Sequence, residues 1–214
     1  MSLPGVPTDI FTMNPVPKII AVAGPSCSGK SCVAQGLVAE LGESHCQSIA
    51  LDHYYRDLRH LSEAEREQQD FDCPDAWESE LLVKHVAQLK RGEPVVMPQY
   101  DFTAHLRSEA TATITPAPFI IMEGLFALCY ATLLPLIDLG IFIGIEDETA
   151  LARRVQRDVQ ERGRTMESVV TQFRTTVQPA VDRFIRPSAA AAALHFDGTA
   201  DLASCIASIA ARIR

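Results

Sequence analysis

The sequence predicts a doubly wound α/β domain, a parallel sheet with helices on both faces. Three observations predict it. Short apolar runs alternate with helical stretches from Lys18 to the C-terminal end, the pattern that right-handed βαβ crossovers produce. A glycine-rich turn follows the first apolar run and opens the first helix. Lys30, Asp52 and Glu123 stand just beyond strand-like runs, and ligands gather at the carboxyl ends of parallel strands.

Each element has its own warrant. Residues 1–17 contain four prolines and little periodicity, which predicts a flexible N-terminal arm before a domain spanning 18–214. Lys18–Gly24 is a short apolar run suited to a buried strand. In Gly29–Leu41, Val33, Leu37, Val38 and Leu41 share one helical face, and Gly42 supplies a stop. Gln47–Leu51 reads as the second strand. Ser62 with Glu65 is a capping-box pair that starts a short helix. Trp77–Lys90 is an amphipathic helix closed by Gly92 and Pro94. Two strand-like stretches, Val95–Met97 and Ala110–Ile114, flank a polar and aromatic segment. They predict a β-hairpin excursion over about 94–118.

Phe119–Met122 is the next buried strand, ending at Glu123. Gly124–Ile145 is, at 22 residues, long enough to span a membrane, but Pro135 and Asp138 interrupt it. The reading is a short helix, a turn and a strand over Leu139–Ile145. Thr149–Glu161 is helical and Gly163 breaks it. Met166–Val177 is helical until Pro179 interrupts. After five alanines, Leu194–Phe196 forms a weak final strand, and Ala200–Ile213 closes as an amphipathic helix.

Composition narrows the function classes. With 214 residues, 47% of them hydrophobic, the chain can bury a core without disulfide or metal staples. A formal charge of −8 argues against binding polymeric nucleic acid, which needs a basic face. Fifteen of the 19 basic residues are arginine, the better side chain for gripping phosphate bidentately. The six cysteines form no CxxC pair, and the first residues carry no secretory signal pattern. Reduced thiols in a cytoplasmic protein without a membrane span are therefore expected.

The motif Gly24-Pro-Ser-Cys-Ser-Gly29-Lys30-Ser31 fits G-x-x-x-x-G-K-[ST] between a strand and a helix. Its glycines let successive N–H groups point at phosphate oxygens, and the helix N-terminus adds positive potential. The fold class is thereby a P-loop NTPase-type sheet. Gly24, Ser26, Cys27, Ser28, Gly29, Lys30, Ser31 and Cys32 form the expected nucleotide-binding segment. Lys30 would reach the outer phosphates, and Ser31 would join a Mg²⁺ shell. Asp52 and Glu123 are hard oxygen donors suited to the same ion. A carboxylate beside an attacking hydroxyl can also take its proton.

Arg153, Arg154, Arg157, Arg162 and Arg164 fall within twelve residues of an acidic chain. They predict a lid over about 153–178 that stabilises a transferring phosphoryl group, with Arg157 and Arg162 as catalytic members. At least two of the five should instead make structural pairs, because Arg154 and Asp158 share a helical face.

The remaining motifs resemble the uridine kinase (uridine–cytidine kinase) family, within the phosphoribulokinase/uridine kinase group. Asp52-His-Tyr-Tyr-Arg56-Asp is similar to that family's Asp-Ser-Phe/Tyr-Tyr-Arg segment, and Phe71-Asp-Cys-Pro-Asp-Ala76 to its Phe-Asp-His-Pro-Asp-Ala. Tyr100-Asp-Phe-Thr-Ala-His105-Leu-Arg107 resembles Tyr-Asp-Phe-x-x-His-x-Arg, and Glu123-Gly124-Leu125 resembles Glu-Gly-Ile/Leu. Arg153 to Asp158 with Glu161 to Arg164 is similar to its arginine-rich lid. The matches run in order from Gly24 to about Pro187. His53 and Cys73 depart from the family's usual Ser and His, Trp77 replaces a smaller residue, and the five alanines replace a charged, Tyr-containing segment.

The resemblance implies a kinase that moves the γ-phosphate of ATP (or GTP), with Mg²⁺, to the 5′-hydroxyl of uridine or cytidine. It makes Asp52 the base and a neighbour of the metal, with Ser31 and Glu123 completing the metal shell. Asp72 and Arg164 would hold ribose hydroxyls or phosphate. Tyr100, Phe102 and His105 would meet the pyrimidine, with Tyr55, Arg154 and Gln172 also facing the substrate. Phe71 and Trp77 are expected in the core. The resemblance leaves room for a homo-oligomer. The competing readings are a related kinase acting on another small hydroxyl, such as a sugar phosphate or pantothenate, and a nucleotide-binding protein that transfers nothing.

Overall fold

The computed structural model describes residues 16–67 and 69–213. The arm expected at 1–17 lies almost entirely outside the described residues. Strand β1 (Lys18–Ala23) leads through the P-loop into helix α1 (Lys30–Leu41), then β2 (Cys46–Ala50) and the short α2 (Glu63–Glu67). Helix α3 (Ser79–Lys90), β3 (Val95–Asp101) and β4 (Leu106–Ile114) follow. The chain continues through β5 (Phe119–Glu123), β6 (Leu139–Gly144) and α4 (Asp147–Arg162). Five strands form one parallel sheet in the order β2-β5-β1-β6-β7, where β7 is Leu194–Asp197. Central β1 pairs with β5 on one side (Ile20 opposite Ile121) and with β6 on the other (Ile20 opposite Leu139).

Alternation along β1 explains why its run is apolar throughout. Ile19, Ala21 and Ala23 face a core shared with α3, the hairpin and α4. Ile20 and Val22 face a second core beneath α1 and the C-terminal helix α8 (Leu202–Ile213). Both faces are buried, so polar alternation would have cost free energy at every other residue.

Several boundaries moved for local reasons. The helix predicted from Trp77 begins at Ser79, because Tyr54 O accepts from Glu78 N (2.8 Å) and Tyr55 pairs with Trp77 in an isolated bridge. The hairpin forms a separate two-stranded antiparallel sheet with longer strands than predicted, because each edge strand finds its partner across the turn. The short helix expected after Gly124 is a 3₁₀ turn at Leu134–Leu136. The last helix starts at Leu202 because Asp201 Oδ2 caps it, accepting from Ser204 N (2.8 Å).

Pro179 does not interrupt its helix. Helix α5 (Met166–Gln172) passes through a π-type turn (Phe173–Val177) into α6 (Gln178–Ala180), a second π-type turn (Val181–Ile185) and α7 (Arg186–Ser188). A proline ring clashes with the carbonyl four residues back. Those carbonyls belong to Thr175 and Arg183, and both lie within the wider turns that relieve the clash. Asp147 ties this run to the start of α4 by accepting from Gln178 Nε2 (2.8 Å) and pairing with Arg186. No helix among the described residues is long and apolar enough to cross a membrane.

Candidate active site

The P-loop curls at the carboxyl end of β1. Gly24 has φ of 147°, and a Cβ there would lie 2.2 Å from Ile143 O on β6. Cys27 and Gly29 also carry positive φ, 63° and 99°. These reversals are what turn successive N–H groups inward. Gly198, in the turn after β7, approaches the loop so closely that a Cβ would meet Ser28 O at 2.2 Å. Arg153 ties the two together by donating to Cys27 O (3.2 Å) and Gly198 O (3.1 Å).

The loop forms one wall of a cleft of about 1320 Å³. Of the residues singled out from the sequence, Ser26, Cys27, Ser28, Gly29, Lys30, Ser31, Cys32, Asp52, Tyr55, Asp72, Tyr100, Phe102, His105, Glu123, Arg154, Arg157, Arg162, Arg164 and Gln172 all line it. Gly24 does not. It lies under the loop, and its role is to let β1 pass close to β6.

At the floor of the cleft Lys30 is buried and donates to Pro25 O (2.8 Å). Burial lowers its pKa, and the carboxylates of Glu123 and Asp52 oppose that shift. Ser31 Oγ donates to Glu123 Oε1 (3.1 Å). Asp52 is partly open to the cleft but packed round by protein. That burial, aided by the charges of Glu123 and Asp72 and opposed by Lys30, raises its pKa to about 6. Burial also raises the Asp72 pKa, against the pull of Arg154. One hydroxyl and two carboxylates suit a magnesium ion that takes its other ligands from water and phosphate. Among the described residues no cluster of three or more His, Cys, Asp or Glu could hold a metal unaided.

Asp158 organises the arginines. It is fully buried and accepts from Arg157 Nε (2.9 Å) and Arg164 Nη1 (3.4 Å). Arg154 and Arg162 approach it at 3.7 and 3.6 Å. Gln172 Oε1 accepts from both Arg154 (3.3 Å) and Arg164 (2.6 Å), and Arg154 also reaches Ser26 Oγ of the P-loop (3.3 Å). Four guanidinium groups around one carboxylate leave a surplus of three positive charges facing the cleft. Gly163 ends α4 in the left-handed region with φ of 64°, its N–H bonded to Asp158 O.

The other wall is aromatic. The rings of Tyr55 and Phe71 meet at 5.1 Å, and those of Tyr55 and Tyr100 at 5.3 Å. Phe71 stacks on His105 at 5.0 Å, with 20° between the ring planes. Phe102 is 52% exposed and contacts Tyr100 at 5.5 Å. Tyr100 is buried, and its hydroxyl has no hydrogen-bond partner among the described residues. His53 Nδ1 accepts from Tyr100 N (3.2 Å), and burial lowers the imidazole pKa.

Sequence reasoning underrated three residues. Phe71 packs against the core as expected but also lines the cleft, while Trp77 is fully buried as expected. A phenylalanine in a loop carries no periodicity to tell the two apart. Asp158 was legible only as a helical partner of Arg154; its full burial was not, and its contact with Arg164 comes from beyond Gly163. Arg153 was legible as part of the arginine cluster but not as a brace of the P-loop.

Comparisons with known proteins agree with this geometry. The model of the phosphoribulokinase/uridine kinase family matches residues 19–203. A uridine kinase from Aeromonas hydrophila is 45% identical over 174 residues, 79% of this chain and 81% of its own length. A uridine kinase from Vibrio cholerae is 44% identical over 174 residues, 79% of this chain and 82% of its own. The solved phosphoribulokinase from Rhodobacter spheroides covers 85% of this chain and 70% of its own, with a TM-score of 0.67 at 19% identity, a likeness of fold. With phosphate cradle, paired carboxylates and arginine cluster in one cleft, and the match running almost the whole length, the chain belongs to the phosphoribulokinase/uridine kinase family.

Proposed function

We propose that this chain is a nucleoside kinase that transfers the γ-phosphate of ATP to the 5′-hydroxyl of uridine or cytidine. The observation that carries the reading is the place of Asp52. It stands between the phosphate cradle and the aromatic wall, with a pKa of about 6. A carboxylate so tuned is ionised at neutral pH and still basic enough to accept a hydroxyl proton. The names and identities of the relatives support the acceptor class.

Each part of the cleft then has a task. The P-loop amides and Lys30 hold the phosphates. Asp52 orients the 5′-hydroxyl and takes its proton as the oxygen attacks. Arg157 and Arg162 carry charge that builds on the transferring group. Asp72 accepts from the ribose hydroxyls. The ring wall, Tyr100 included, covers the pyrimidine faces, and His105 meets its polar edge. Magnesium held by Ser31, Glu123 and Asp52 would supply further neutralisation of phosphate charge.

The test is ADP release by the purified protein against uridine, cytidine, adenosine, thymidine and a set of sugar phosphates. Uridine and cytidine should give the highest kcat/KM. Thymidine lacks the 2′-hydroxyl assigned to Asp72, and adenosine overfills the ring wall, so each should fall at least tenfold lower. A sugar phosphate as best acceptor would reject the pyrimidine assignment and leave the kinase chemistry standing.

A further inference from the structure

We infer that His53 is a positioning residue that sets the pyrimidine-facing wall relative to the catalytic base. It follows Asp52 directly, within the 3₁₀ turn Leu51–Tyr54. The β3–β4 ladder shifts register between Pro98 and Tyr100. Such an irregularity leaves a backbone group unpaired and re-aims the side chains beside it. The extra residues lie on β4, between Arg107 and Thr111, and on β3 beside them Tyr100 N donates to His53 Nδ1 at 3.2 Å. The imidazole also packs against the Phe102 ring at 5.8 Å, and Phe102 packs on Tyr100. One side chain thus holds both the backbone that aims Tyr100 and the ring beside it. Its own main chain carries Asp52. The distance between proton acceptor and ring wall is therefore fixed through His53, and neither the hairpin nor the 3₁₀ turn fixes it alone.

The inference rests on the nucleoside kinase reading above. Steady-state kinetics of the full chain test it, with kcat and KM for uridine and for ATP in wild type, His53→Ala, His53→Asn and His53→Gln. Asparagine places its amide oxygen on the atom attached to Cβ, where histidine carries Nδ1; glutamine places it one bond further out. His53→Ala should raise the uridine KM about tenfold, the usual scale of one lost oriented hydrogen bond. The ATP KM should change less than about twofold, since the P-loop is untouched. His53→Asn should recover uridine KM to within about threefold of wild type, and His53→Gln should not. Equal losses in the alanine and asparagine variants, or an ATP KM that climbs with the uridine KM, would overturn the assignment. If His53→Ala fails to fold, the contrast between asparagine and glutamine decides alone. A wild type that turns over no nucleoside is seen before any variant is compared; it rejects the functional reading and this inference with it.

Discussion

In the proposed reaction Asp52 is the residue on which the chemistry turns, and its environment makes two measurable demands. Its pKa of about 6 lies above the ordinary carboxylate value because burial and the Glu123 charge disfavour ionisation. The ionised form is the base, so kcat/KM for the nucleoside should be flat above pH 7. It should fall about tenfold per unit as pH drops below 6. A profile still flat at pH 5 would remove Asp52 as the titrating base. The same shift is a stability statement. Between the unfolded value near 4 and the folded value near 6, the folded state keeps a proton that the unfolded state has released, so stability falls as pH rises through that window. At pH 7 the ionised carboxylate costs about 1–3 kcal/mol in the ligand-free protein. Asp52→Asn should therefore raise the thermal midpoint at pH 7 and leave it unchanged at pH 4. It should also lower turnover by about 10²-fold or more while ATP binding survives. Lys30→Ala should differ by losing nucleotide binding and turnover together.

At the scale of elements, α4 and α5 form a frame for charge. The arginine cluster could be seen in the sequence, but what holds it could not. A turn of Arg162-Gly163-Arg164 with no apolar anchor suggests free movement. The structure anchors it by polar contacts instead, with Arg164 N bonded to Asp158 O (3.1 Å) and its side chain shared among Asp158, Gln172 and Ser168. Asp158→Asn removes the buried charge that four guanidinium groups face. It should destabilise the protein by about 3 kcal/mol and lower kcat about tenfold or more, as Arg157 and Arg162 lose their aim. Wild-type melting and turnover in that variant would show that the arginines find their places without it. The hairpin teaches a related lesson. Its existence was legible from two strand-like stretches around an aromatic segment. The register shift beside Tyr100 was not, since it depends on how the two strands pair. Pro179 misled for the same reason: propensity argues against proline in a helix, and only the π-type turn before it resolves the clash.

At the scale of the molecule, the sheet order gathers the site. Placing β1 between β5 and β6 brings the P-loop, Glu123 and the start of α4 to one edge. The crossover to β2 carries Asp52 to the same edge from two strands away. That convergence was legible because buried parallel strands are continuous apolar runs and their carboxyl ends are marked by polar residues. The P-loop motif pointed to Ser26 through Cys32, and each of these lines the cleft. The resemblance pointed to Tyr55, Asp72, Tyr100, Phe102 and His105, which all line the cleft, but not to the cleft-facing side of Phe71, because loop aromatics have no period. The central claim is that this cleft moves a phosphoryl group from ATP to a pyrimidine nucleoside through Asp52. The most direct measurement is identification of the product by mass spectrometry and phosphorus NMR after incubating wild type and Asp52→Asn with ATP, magnesium and uridine. The account predicts uridine 5′-monophosphate from the wild type, at a rate at least about 10²-fold above that of the variant. Phosphate transferred elsewhere, or equal rates from both proteins, would contradict it.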